Sequence, residues 1–170
     1  NGGGVYLSYE IKDGTRYKAS FNMDGGTISG NSGDNGGGVY VYTNCTFTMT
    51  GSARIDNNKV TGYSSKGSGV YVGSSANFNM NGGTISRNNS VGYGGGVYSE
   101  GTFTMKGGSI TQNTANYGGG GVWTNSYFTV SGDVKITGNT PNTGNTHDNV
   151  YLSGTKITIG EKGLNPGAEI

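Results

Sequence analysis

Apolar and polar positions alternate in short runs along this chain, and the runs recur. Thr46-Phe47-Thr48-Met49-Thr50 alternates, and Thr102-Phe103-Thr104-Met105 repeats the pattern. Val39-Tyr40-Val41 and Val70-Tyr71-Val72 form a second kind of run, and Thr84-Ile85-Ser86 a third. A period of two places successive side chains on opposite faces of a strand. Because Gly, Asn and Ser bound these runs, the pattern predicts short strands joined by turns. It excludes helix. Gly94 to Gly96 and Gly118 to Gly121 would cost about 1 kcal/mol per glycine inside one, and no 3.6-residue periodicity is present.

The runs keep a fixed order. A Gly-rich segment leads into Val5, Val39, Val70, Val97, Val122 and Val150, spaced 34, 31, 27, 25 and 28 residues apart. Each of the first five is followed by Phe21, Phe47, Phe78, Phe103 or Phe128, and Met23, Met49, Met80 and Met105 stand two residues after the first four. Then come Ile28, Ile55, Ile85, Ile110 and Ile136, each three residues before Asn31, Asn58, Asn88, Asn113 or Asn139. All five Phe and all four Met of the chain fall in this scheme. Spacing of this order marks a solenoid, in which one coil cannot bury its own apolar face and must stack on the next. The expected fold is all-β: a parallel β-helix with three short strands per rung, about five full rungs and a partial sixth. The handedness preference of parallel crossovers makes it right-handed. Residues 1–170 form one domain, read as a fragment of a longer chain because Asn1 starts inside a repeat.

Deviations from the scheme predict local structure. Two residues before each Phe stand Ala19, Cys45, Ala76, Gly101 and Ser126, all small, which predicts a tight place in the cross-section. Cys45 is then a buried small residue rather than a reactive thiol. The Asn column follows the third strand, where Asn tolerates a left-handed turn and its amide can bond the next rung. Residues 9–18, with Glu10, Lys12, Asp13, Arg16 and Lys18, lengthen the first rung. They predict a protruding hairpin or cap, or else a binding loop. Residues 160–170 lack the Ile-x-x-Asn mark and predict a cap or the start of the next segment.

Composition changes the picture in two ways. Apolar residues are only 31 % and Gly numbers 36, values that suggest disorder until the repeat is seen. The net charge is +1 with 12 % charged residues and no basic stripe, so nucleic acid is not an expected partner. No apolar run approaches the roughly 20 residues of a membrane-spanning helix.

Candidate chemistry is sparse. The ten acidic residues do not fall in one column on neighbouring rungs, so neither a catalytic carboxylate pair nor a calcium cage is expected. His147 has no partner at metal-ligand spacing. No catalytic residue, metal or cofactor is assigned. Aromatics offer more. Tyr6, Tyr40, Tyr71, Tyr98, Trp123 and Tyr151 follow the anchor valines and point outward if the valines point inward. They would form a column roughly 25 Å long. Aromatic faces flanked by Thr, Asn and Ser suit sugars, so Tyr71, Tyr98 and Trp123, framed by Tyr93 and Tyr117, form the candidate ligand site. Stacked Tyr rings also stabilise a parallel sheet with no ligand at all. A third reading is ice binding by the outward row Asn22, Thr48, Asn79, Thr104, Thr129 and Thr158, but the flanking row is irregular.

The blocks Gly36-Gly37-Gly38-Val39 and Gly94-Gly95-Gly96-Val97, with the marks from Ile28-x-x-Asn31 to Ile136-x-x-Asn139, resemble the polymorphic outer membrane protein repeat of bacterial adhesins. The chain is similar, too, to Gly-rich β-helix repeats in large surface proteins of anaerobic bacteria. The resemblance spans Gly2 to about Gly160 and departs in having Ile where the adhesin repeat favours Phe. It implies an extracellular or cell-surface passenger or stalk domain with an adhesive role; the sparse acidic residues and the aromatic column add the expectation of a non-enzymatic domain with polysaccharide or a host surface protein as partner. The alternative is part of a polysaccharide-active lyase or hydrolase whose catalytic rungs lie elsewhere.

Overall fold

A computed structural model of the chain describes residues 1–141 and 149–170. His147 lies outside the described residues.

The valine runs build a six-stranded parallel sheet from Val5–Leu7, Val39–Val41, Val70–Val72, Val97–Ser99, Val122–Thr124 and Val150–Leu152. Its register aligns the six valines with one another. The phenylalanine runs form a second parallel ladder, and the isoleucine runs continue the same sheet around a corner. In two rungs the corner straightens enough that Thr102–Thr111 and Phe128–Thr137 are each one strand.

The core is the stack of inward columns. Phe47, Phe78, Phe103 and Phe128 are buried, with successive ring centroids 4.8–4.9 Å apart and planes within 4° of parallel. Phe21 extends the stack at 5.3 Å. Met23, Met49, Met80 and Met105 lie buried beside it, as do Val39, Val70, Val97 and Val122. Cys45 is buried in the same core. The tight place is real: a Cβ on Gly101 would stand 2.4 Å from the Ala76 carbonyl oxygen.

The structure adds to the expected three strands a fourth, two residues long. Ser32–Gly33, Lys59–Val60, Asn89–Ser90, Thr114–Ala115 and Thr140–Pro141 pair in parallel, inside what reads as a long loop from Ile to the next Val. Val60, Ser90 and Ala115 turn inward from it and are buried.

The Asn column is structural, but its backbone differs from expectation. The left-handed residue is the one before each Asn: Gly30, Asn57, Arg87, Gln112 and Gly138 have φ between 54° and 70°. That turn aims the Asn inward, where it bonds along the solenoid axis. Asn88 Oδ1 accepts from the Asn58 backbone N–H at 2.9 Å and from Asn58 Nδ2 at 3.0 Å. Asn113, Asn139 and Asn149 repeat this role for the rung before each.

The two irregular segments resolve simply. Tyr9–Lys12 and Thr15–Lys18 form an antiparallel hairpin. Asp13 and Gly14 both have positive φ, 51° and 72°, as the tight Asp-Gly hairpin turn requires. At the other end, Ile157–Leu164 pairs with the fifth rung, and a parallel bridge joins Lys135 to Glu169. Ile170 is thereby next in register with Ile136, while Ala168 packs against the core. The sixth rung does reach the Ile column, after a longer corner than in the other five.

Candidate functional site

The residues after the anchor valines align in register across six rungs: Tyr6, Tyr40, Tyr71, Tyr98, Trp123 and Tyr151. A strand buries one face in the core, so the residue next to each buried valine must face away. Their rings stack on one another outside the core, with centroids 4.6 Å apart for Tyr40 and Tyr71, 5.8 Å for Tyr71 and Tyr98, and 4.2 Å for Tyr98 and Trp123. Parallel strands set this spacing, and offset ring stacking favours it.

The column faces outward yet its middle is covered. Tyr40, Tyr71 and Tyr98 are only 4–8 % exposed and form a second apolar cluster, against which Tyr42, Tyr93 and Trp123 pack. A charged pair completes the cover. Lys66 Nζ lies 2.8 Å from Glu100 Oε1 and 4.7 Å from the centre of the Tyr98 ring. The Tyr71 hydroxyl donates to Glu100 Oε2 at 2.8 Å. Burial pushes the Tyr71 hydroxyl far above its ordinary value, and the neighbouring Glu100 carboxylate adds to this. Burial also raises Tyr40 and Tyr98. Glu100 is itself pushed up by burial, but hydrogen bonds from Lys66 and Tyr71 outweigh this and hold it below the usual carboxylate range. Lys66 shows the mirror image: burial pulls it down, Glu100 and Tyr98 together more than offset that, and its ammonium is held above the ordinary value.

The five candidate residues thus meet in one cluster with two different environments. Tyr71 and Tyr98 are enclosed. Trp123 is half-buried and is the edge of an open group: Tyr93 meets it edge-on at 6.1 Å, Tyr117 meets Tyr93 at 5.4 Å and is 41 % exposed, and Tyr151 stacks on Trp123 at 6.1 Å. Lys66, Glu100 and Tyr151 belong to the site although the aromatic pattern does not select the first two. A count would have found Lys66. Four residues before successive valines stand Asn35, Lys66 and Tyr93, and these three are bridged to one another on neighbouring rungs.

A separate groove of about 320 Å³ lies on the phenylalanine sheet, lined by residues that include Lys106, Ser131, Glu161 and Lys162. Among the described residues no three His, Cys, Asp or Glu gather as a metal site would require, and no helix is long and apolar enough to cross a membrane. Every buried side-chain nitrogen and oxygen among them has a hydrogen-bond partner.

Comparison with known proteins supplies one match. No curated protein and no solved structure matched the chain. Residues 14–162 match the family described as the right handed beta helix region. That span covers the phenylalanine, isoleucine and asparagine columns and nearly all of the aromatic one, and the chain belongs to the right-handed β-helix family.

Proposed function

We propose that this domain is a rigid structural and adhesive segment of a secreted or surface-anchored bacterial protein, non-enzymatic, which contacts glycan at the Trp123 end of its aromatic column. One observation carries this reading: the column is enclosed from Tyr40 to Tyr98 and opens at Trp123, where Tyr93, Tyr117 and Tyr151 stand around a half-buried indole. The enclosed part stiffens the rod. The open part offers ring faces for sugar C–H groups and an indole N–H for a hydroxyl. The Gly-, Thr-, Ser- and Asn-rich composition and the likeness to polymorphic outer membrane protein repeats support a cell-surface location.

Trp123 is the only tryptophan, so its emission reports on the site. Titration with neutral extracellular polysaccharides is expected to shift that emission. A glycan array is expected to show binding by the native domain and its loss in Trp123→Ala. Binding that survives the substitution would place the site elsewhere, and no binding across the array would leave a spacer without adhesive function.

A further inference from the structure

The hairpin Tyr9–Lys12 and Thr15–Lys18 lies at the first-rung end of the aromatic column, far from Trp123, and one of its faces carries cations alone. Its register sets Tyr9 opposite Lys18 and Ile11 opposite Arg16, so these four share one face. Glu10, Lys12, Thr15 and Tyr17 share the other. The first face therefore carries two cations and no carboxylate. Among the described residues Arg16 and Lys18 form no salt bridge, although Glu10 and Asp13 are close in sequence.

The arginine is held in place. Its guanidinium carbon lies 4.3 Å from the centre of the Tyr9 ring, and Tyr9 stacks in turn on Tyr42 at 5.8 Å. Stacking occupies the flat face of a guanidinium and leaves its in-plane N–H donors for a carboxylate. Lys18 is two residues along the same strand, about 7 Å away along its axis. Among the described residues both hairpin strands have an unpaired edge, since the two form a sheet by themselves. Ile11 and Tyr17 are 61 % and 57 % exposed. An unpaired edge is a template for another strand. Cations along it repel a second copy of the same hairpin and favour an acidic strand.

We propose that the edge of Thr15–Lys18 takes up an extended acidic peptide segment of a protein partner by strand addition. Carboxylates at alternate positions of that segment would meet Arg16 and Lys18, and its main chain would bond the free edge. Strand addition draws affinity from the main chain and specificity from alternate side chains, and both elements are present here. This surface does not depend on the glycan reading, because Trp123 lies four rungs away along the aromatic column.

The test uses the whole 170-residue chain. A fluorescently labelled peptide of three Asp-Val repeats is titrated by fluorescence polarisation against the native protein and against Arg16→Gln/Lys18→Gln. The double variant is expected to weaken binding about tenfold or more, and Arg16→Lys, which keeps charge but loses the planar fork, to weaken it by a smaller factor. A peptide of the same composition with its three Asp contiguous, and the alternating peptide N-methylated throughout, are both expected to lose binding. A chain in which a short turn replaces residues 9–18 is expected to lose it while keeping native Trp123 emission. Equal binding of the contiguous or methylated peptide would overturn strand addition, leaving only charge attraction. Unchanged binding by the double variant would overturn the site, as would failure of the alternating peptide to bind the native chain.

Discussion

Phe78 sits midway in the ring stack, 4.9 Å from Phe47 and 4.9 Å from Phe103, with no exposed surface. Its neighbours are pinned by their own rungs and cannot collapse into the space that its removal leaves. Phe78→Ala is expected to lower unfolding free energy by about 3–5 kcal/mol in chemical denaturation, as for other large-to-small core changes. A loss under 1 kcal/mol would mean that the rungs shift to close the gap. The tyrosines of the second cluster answer to pH instead. Burial raises Tyr40, Tyr71 and Tyr98, so their neutral forms are favoured in the folded state. A raised value contributes stability that is complete below the ordinary tyrosine value of about 10 and is lost as pH climbs past it. Absorbance titration at alkaline pH is therefore expected to find three of the 12 tyrosines silent until the protein unfolds, with unfolding setting in above about pH 10. Smooth ionisation of all 12 in a folded protein would contradict their enclosure.

The asparagine ladder shows what a single element contributes and how much of it a sequence displays. Asn113 Oδ1 accepts from Asn88 N and Asn88 Nδ2, while its own Nδ2 donates to the Ile85 and Thr111 carbonyls and to Asn139 Oδ1. It is fully buried. Asn113→Ala would leave the Asn88 backbone N–H and the Ile85 carbonyl without these partners. At about 1–3 kcal/mol for each unsatisfied buried group, the expected loss is about 2–6 kcal/mol, read from the denaturation midpoint at unchanged slope. A near-neutral variant would show that water fills the site. The column was legible because each Asn follows its Ile at a constant distance. The left-handed position one residue earlier was not, because Gly30, Asn57, Arg87, Gln112 and Gly138 share a backbone angle and no side-chain chemistry. The fourth ladder escaped for a related reason: pairs such as Lys59-Val60 and Thr114-Ala115 are too short to show alternation. Ile170 was missed because the sixth rung carries a longer corner before it. At the candidate site, strand period two gave the outward column, but the enclosure did not follow from it. Enclosure depends on Lys66 and Glu100, which are 34 residues apart and meet only when two rungs stack.

At the scale of the whole molecule, each rung touches only its neighbours, so stability is a sum of rung terms and interface terms along one axis. Rungs in the middle have two interfaces. Val39, Phe47, Ile55, Val70, Phe78, Ile85, Val97, Phe103 and Ile110 have no exposure there, whereas Val5, Phe21, Ile28, Val150 and Ile157 are partly buried in the first and last rungs of the 170-residue chain. Local opening free energies follow the number of buried contacts that must be broken. Amide hydrogen exchange is therefore expected to be slowest in Val70–Val72 and Asn77–Met80 and their immediate neighbours, and faster in Val5–Leu7 and Ile157–Leu164. The same logic fixes how a defect spreads. In Asn113→Ala, exchange is expected to accelerate most in the rungs of Asn88, Asn113 and Asn139, which lose hydrogen bonds directly, and least in the first rung. Uniform protection along the native chain, or uniform acceleration in the variant, would mean that the solenoid opens as one unit. A gradient centred on the middle rungs would mean that the interface between neighbours is the unit of stability, and hence that the rod can lengthen by whole rungs without weakening.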